Sequence, residues 1–419
     1  MSLKLETEVL VVGAGPVGMF TALLLARGGI DTQLIDQESR TAGHSYSCAL
    51  HPRTIKLLNE AGIASTLFRS SRRIDSVGYY QGASRRAEVQ LSRLFVPFPF
   101  ALALPQSSLE DLLEAELRHA GVEISWHHRL NALENHHGGA RASVDRLAHT
   151  GHGYIVPEFE LTVQDSVKVD ARFIVGADGQ HSMVRQRLDT PFETAGAPQF
   201  FVVFEGEAAK DSGHEVKVVL DDASDSVMWP LSDTRFRWSF LVAPATTPDE
   251  FPTKERQRMV VIEQAGEEDS LHRLQKLLAE RAPWFDNPVQ QVVWNAQVQF
   301  EPRLARQFGK DFCWLVGDAA HQTGPIGMQS MNIGFREAAH LAEALKHILR
   351  DGKALDLVQR YGHENWYQWK RLFGSAGGAR PTTAASDWVR QRAPRILSTI
   401  PASGEELVEL LNRLGIMFK

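Results

Sequence analysis

Apolar residues near the start of the chain form a four-residue run, Val9 to Val12, that meets a string of small residues. Apolar positions then recur at helical spacing from Met19 to Ala26, Gly28 and Gly29 stop the helix, and "TQLIDQ" adds a second short run ending at Asp36. Such an order predicts a βαβ unit with parallel strands. Two later buried runs, "RFIVG" from residue 172 and "FCWLVG" from residue 312, also end in glycine and aspartate, at Gly176-Ala177-Asp178-Gly179 and Gly317-Asp318. Elsewhere the pattern changes. Residues 76–100 and 198–243 alternate in strand-like runs between turns, and Phe236, Trp238 and Phe240 share one face at period two. The predicted fold is α/β, with a parallel sheet, a mostly antiparallel second sheet and a C-terminal helical cap. Residues 1–75, 101–190 and 303–375 should build the first unit, 76–100 and 191–302 the second, and 376–419 the cap. Capping boxes at Ser107-x-x-Glu110 and Ser403-x-x-Glu406 are expected to open two helices.

A length of 419 residues exceeds what one core usually serves. The net charge of −6 without a basic run argues against nucleic acid or an anionic membrane as partner and favours a small molecule. Apolar stretches such as "ALLLA" at 22–26 are too short to span a bilayer, and "MSLKLETEVLVVG" lacks a signal-peptide pattern, so a cytoplasmic location is expected. Of the two cysteines, Cys48 and Cys313, the second lies in an apolar run and reads as a buried structural thiol. Histidines crowd residues 119–152, but neighbours such as His127 and His128 would point to opposite strand faces. No metal site is expected, and "ENHHGGARASVDRLAHTGHG" reads as an exposed hairpin.

The candidate chemistry lies in the glycine stretches. Gly13-x-Gly15-x-x-Gly18 follows a strand and opens a helix. Gly13 permits the tight turn, Gly15 lets the backbone approach a pyrophosphate, and Gly18 lets helix pack on strand. Asp36, 23 positions after Gly13, is placed for a ribose hydroxyl. These features predict a Rossmann-like dinucleotide site without choosing between FAD and NAD. "GPIGMQSMNIG", residues 324–334, adds small residues and a proline before a helix, which would aim backbone donors at a flat or anionic ligand.

Together the three stations, Gly13 to Gly18, "DGQHSMVR" and "GDAAH" with its following proline and "MNIG", resemble those of the class A flavoprotein monooxygenases, the para-hydroxybenzoate hydroxylase group. The resemblance runs from about residue 8 to 345. It implies FAD held by Gly13, Gly15, Pro16, Val17 and Gly18, with Asp36 on the adenosine ribose and Gly317-Asp318 on the ribityl chain. Asp178 and Arg185 would lie near the pyrophosphate and the path of the nicotinamide nucleotide, and Gln106 beside the flavin. Pro325, Gly327, Met328 and Gln329 would wrap the pyrimidine end of the ring. Many relatives carry Gly-Gly-Gln-Gly where this chain has Gly327-Met328-Gln329-Ser330, so either the loop bends differently or those positions need no glycine. Glu337 stands where aspartate is common, a change read as one on a helix surface. Tyr46 takes the place of the family's flavin-facing arginine.

The function implied is hydroxylation of an aromatic, phenolic or polyketide-like molecule by dioxygen, with NADPH or NADH as reductant, through a flavin hydroperoxide. His321 and Tyr46 are the candidate catalytic side chains, and Trp229, Phe236 and Trp238 the candidate substrate contacts. Alternatives are Baeyer-Villiger or decarboxylative oxygenation, a reductase, or a non-enzymatic FAD-binding partner protein.

Overall fold

The first apolar run forms the strand Glu6–Val12, the helix Pro16–Arg27 follows, and Thr32–Ile35 returns in parallel beside the first strand. Pro16 opens the helix, where its missing N–H is one that would find no partner in the helix anyway. The computed structural model describes residues 3–41, 48–152, 158–222, 224–243, 267–374 and 379–418. Strand order in the first sheet is Gly309–Lys310, Cys313–Leu315, Glu158–Gly176, Glu6–Val12, Thr32–Ile35 and Ile124–Ser125. The expected hairpin, His128–His136 and Gly139–His152, extends it through the long third strand. Leu10, Val11, Leu34 and Ile174 are fully buried, as a parallel sheet covered on both faces requires.

Register positions the site. Val12 pairs with both Ile35 and Gly176, and Gly176 pairs with Leu315. The carboxyl ends of four strands therefore lie level, and the turns that follow them share one rim.

The second sheet has seven strands in the order Val289–Phe300, Gln199–Ala208, Arg235–Val242, Asp225–Pro230, Glu215–Leu220, Ser76–Gln81 and Ser84–Gln90. On one face Phe204, Phe236, Trp238 and Phe240 pack with Leu274 and Leu278 of the helix Glu267–Arg281. On the other, Val203, Trp229 and Val298 join the cluster that holds Ile326 and Met328. Phe236 and Trp238 thus face away from the glycine stretches, because period two sends alternate side chains to opposite faces. Neither lines the cleft or its facing wall, against the expectation for a substrate contact; Trp238 stacks on Phe240 at 5.2 Å instead.

The C-terminal helices Asp387–Leu397 and Glu405–Arg413 cover that second face. Arg392 and Arg395 pair with Asp222 and Asp225, each at 2.8 Å. Neither capping box forms. The helix Gln106–His119 begins two residues early behind Pro105, whose fixed φ suits the cap position, and Glu110 turns inward to accept from Gln106 Nε2 at 2.7 Å. The helix Glu405–Arg413 is preceded by Gly404 at φ 67°, which pushes Ser403 one step outside it. Among the described residues no helix is long and apolar enough to cross a membrane.

Candidate functional site

The turn after the first strand is built by contact with the second motif. Gly13 sits at φ 105°, and a Cβ there would lie 2.3 Å from the Ala177 carbonyl oxygen. Gly18 meets Gly13 just as closely, whereas nothing lies within 4 Å of a Cβ built on Gly15 or Gly179. Those two face a cleft, which is also lined by Pro16, Val17, Gln106, Asp318, Pro325 and Met328. Asp36 Oδ2 accepts the Ala14 N–H at 2.6 Å, so the acid at the end of the second strand is tied to the glycine turn. Three motifs far apart in sequence border one cleft at a shared sheet rim, where ligands collect in open α/β sheets.

Other expected residues have different surroundings. Asp178 Oδ2 accepts the N–H groups of Met183 and Val184 at 2.7 and 3.1 Å and so caps the short helix Met183–Arg187. Its Oδ1 is buried without a partner, and burial raises its carboxyl above the usual range. Arg185 does not line the cleft. It is 5% exposed, donates to the carbonyls of Ala319 and Gln180, and lies over the Phe192 ring at 3.9 Å. Burial brings its guanidinium down to about 10. It ties the second motif to the third.

A polar chain runs inward from Asp318. The Ser330 hydroxyl donates to Asp318 Oδ1 at 2.5 Å and lies 3.3 Å from His321 Nδ1; His321 Nε2 is 2.8 Å from Glu337 Oε2. Glu337 also accepts the Gly317 N–H and the Trp369 indole N–H, and both it and His321 are fully buried. The reading of Glu337 as a helix-surface residue is therefore wrong. It organises the third turn from beneath. His321, stacked on Trp369 at 3.9 Å, borders no part of the cleft and is not placed to act on a substrate. Asp318 opens onto the cleft yet is embedded in the protein, and that burial raises its carboxyl against the lowering effect of Ser330.

The glycine-poor loop follows neither expectation at its second position: Met328 itself takes the left-handed conformation that favours glycine, at φ 53° and ψ 34°, just before the helix Gln329–Asp351. Gly327 packs against the C-terminal segment, with its Cβ position 2.2 Å from the Ser398 carbonyl oxygen. The Gln329 side chain also points there, donating to the carbonyls of Ile400 and Ala402. Of the four residues expected around the ring, Pro325 and Met328 line the cleft with their neighbour Ser330. Tyr46 lies outside the described residues.

His51 clamps this loop. Its Nε2 donates to the Gly327 carbonyl at 2.9 Å, its backbone N–H to Asn332 Oδ1 at 2.8 Å, and its Nδ1 is unpartnered. Burial brings the imidazole from the ordinary 6.5 down to about 3. Between those values the unfolded chain holds a proton that the folded one does not, so stability falls as pH drops from 6.5 toward 3. His51→Gln, which keeps a donor for Gly327, is expected to flatten that slope. Thermal midpoints measured across the range check this; parallel wild-type and variant profiles would contradict it.

Opposite Met328 the second sheet presents a wall that the sequence pattern did not disclose. Val203, Arg237, Ser239, Trp294 and Phe300 face Pro325 and Met328 across about 20 Å³ of free space. Arg237 lies directly across the strands from Glu205, and its Nε donates to Glu205 Oε1 at 2.9 Å. The pair is nearly sealed from solvent. Cys48 hydrogen-bonds Arg237, and burial pushes its thiol up to about 11. Trp229 shares the face of Arg237 but is fully buried in the core.

A parallel sheet with a glycine turn, an acid on the second strand and a covering antiparallel sheet defines a dinucleotide-binding protein. The chain belongs to the FAD binding domain family, whose model matches residues 6–372. FAD as cofactor and the resemblance to flavoprotein monooxygenases are thereby borne out. The chain is 27% identical over 385 residues to the 6-methylpretetramide 4-monooxygenase of Streptomyces rimosus, an alignment covering 90% of this chain and 62% of that protein. The solved structure of p-nitrophenol 4-monooxygenase from Pseudomonas putida DLL-E4 superimposes with a TM-score of 0.74 at 19% identity, over 98% and 97% of the two chains. That of aklavinone-11 hydroxylase with FAD and aklavinone gives 0.69 at 21% identity, over 90% and 69%. These two likenesses concern the fold.

Proposed function

We propose that the protein is a cytoplasmic FAD-dependent monooxygenase that uses NADPH or NADH to hydroxylate an aromatic, phenolic or polyketide-like molecule. The observation that carries this reading is the convergence of three strand-end turns on a cleft that faces the Arg237, Trp294 and Phe300 wall. The monooxygenase relatives support it. The cleft suits FAD: Gly15 and Gly179 leave room for a close backbone approach, and the start of the helix Pro16–Arg27 offers N–H donors to a pyrophosphate. Asp36 is assigned to the adenosine ribose and Asp318 to the ribityl chain, with Gln106, Pro325 and Met328 beside the ring. Bound FAD supplies reduction by a nicotinamide nucleotide and activation of dioxygen for transfer to a ring carbon.

The protein's own part is to bind, orient and exclude water. Trp294 and Phe300 offer aromatic walls, and Arg237 and Ser239 offer donors to a phenolic or carbonyl oxygen. The space of about 20 Å³ is too small for an aromatic ring, but it adjoins the cleft of about 240 Å³ through Phe300, Pro325 and Met328, so a ring approaches the wall from the cleft side. No side chain in this wall is free to act as a general base, since Glu205 is engaged by Arg237.

Anaerobic reduction of the flavin by NADPH and by NADH, with and without a pool of phenolic and polycyclic compounds, tests the reading. Acceleration by a pool member is the expected result. Bound flavin that no compound affects would favour a non-enzymatic FAD-binding protein or a reductase, and product analysis would separate hydroxylation from Baeyer-Villiger or decarboxylative outcomes. Asp318→Ala is expected to weaken FAD retention by at least about tenfold, measured by flavin content after gel filtration. Unchanged retention would remove Asp318 from the flavin site.

A further inference from the structure

A second cavity, of about 450 Å³, lies across the helix Gln329–Asp351 from the cleft. Met328, Ser330 and Met331 border the cleft, whereas Gln329, Ile333 and Arg336 border this cavity. Trp369, Leu372, Leu407 and Phe418 form its apolar walls.

Two guanidinium groups converge in it. A Cβ on Gly404 would lie 3.2 Å from Arg53 Nη1 and 3.5 Å from Arg336 Nη1, so the glycine at the start of the last helix leaves space where both arginines meet. Arg336 is disfavoured in its charged form by burial first and by Arg53 next. Glu406 answers Arg53 at 3.5 Å. Arg336 has only the Gln368 side-chain oxygen, at 3.2 Å, and no carboxylate within ion-pair distance among the described residues. Glu405, Glu406 and Glu337 act on it from further away. Arg371, 5.3 Å over the Phe418 ring, adds a third cation to the rim.

Two polar atoms on the cavity wall lack partners. Ser403 is 2% exposed with its hydroxyl unpaired, and Gln329 is 5% exposed with Oε1 unpaired. The Gln329 amide orientation follows from its Nε2 donating to two carbonyls, which leaves Oε1 as an acceptor that awaits a donor. Converging arginines match a carboxylate, and the aromatic and aliphatic walls match an apolar body.

We propose that this cavity binds a small organic carboxylate with an apolar body, distinct from the molecule in the cleft. The carboxylate lies between Arg53 and Arg336 within reach of the Ser403 hydroxyl, the body rests on Trp369, Leu407 and Phe418, and a hydroxyl on the ligand can donate to Gln329 Oε1. Gln329 stands between Met328 and Ser330, so occupancy also steadies the helix start that borders the cleft.

Calorimetric titration of the full chain with benzoate, and separately with inorganic phosphate, tests the proposal. Benzoate is expected to bind, and Arg336→Met and Val408→Trp are each expected to weaken it by about tenfold or more at an unchanged melting midpoint. Val408→Trp fills the cavity and keeps every charge, so it reports on the site even if Arg336→Met folds poorly. Benzoate held in the cleft would respond to neither variant. No benzoate binding up to about 10 mM, unchanged affinity in Val408→Trp, or Arg336-dependent binding of phosphate in place of benzoate would overturn the proposal.

Discussion

Alanine at Gly18 will cost the protein more than about 4 kcal/mol, the range reserved for backbone collisions and major core defects. The added Cβ would lie 1.9 Å from the Gly13 carbonyl oxygen and 3.0 Å from the Ala177 side chain. The first partner is backbone, so no rotamer change relieves the overlap. The helix Pro16–Arg27 has to lift from the strand Glu6–Val12, which is central in the parallel sheet and buried from Val9 to Val12. Lifting it also separates the first glycine turn from Ala177, and with it one side of the proposed FAD cleft. Denaturant unfolding measures the effect, as a lower midpoint or as loss of soluble protein. A midpoint within about 0.5 kcal/mol of wild type would mean that helix and strand do not approach as described.

Arg237→Met is expected to cost about 3–5 kcal/mol, because it removes the close partner of a buried carboxylate. The carboxylate would retain only Arg235, 3.7 Å from Oε2. Replacing both members, as Arg237→Met with Glu205→Leu, should restore most of the loss, since an apolar pair carries no desolvation penalty. The double variant also separates stability from function. If Arg237 orients substrate, the restored fold keeps its FAD yet shows no acceleration of flavin reduction by a compound that accelerates it in wild type. Equal instability of single and double variants would show that packing, rather than an unpaired charge, sets the cost. Full acceleration in the double variant would remove Arg237 from the substrate wall.

The neighbouring segment Arg235–Val242 shows where sequence reading stops. Its alternation puts Phe236, Trp238 and Phe240 on one side and Arg237 and Ser239 on the other, and the sequence offered the aromatic side, not the polar one, as the source of substrate contacts. Period two separates faces but does not say what covers each. The C-terminal helices and the loop at Met328 cover the polar face, while the apolar stripe only packs on the helix Glu267–Arg281. Glu337 misled in the same way, because one carboxylate on a helix looks alike whether water or Gly317, His321 and Trp369 satisfy it.

Features that depend on backbone conformation within a few residues were legible in the sequence itself. The βαβ unit, the glycine turn at Gly13, the aspartates that close the later buried runs and the hairpin after His128 needed no distant partner to be recognised. Even the resemblance to flavoprotein monooxygenases rested on such local turns. Tertiary structure decided what long-range register controls. It brought Gly13, Ala177 and Asp318 together by aligning strand ends, turned Gln329 and Gly327 toward the C-terminal segment, and set Arg336 against Arg53 beside Gly404. The physical reason is that a glycine or proline states its backbone demand wherever it stands, whereas a charged side chain acquires its role from the groups that the fold places around it.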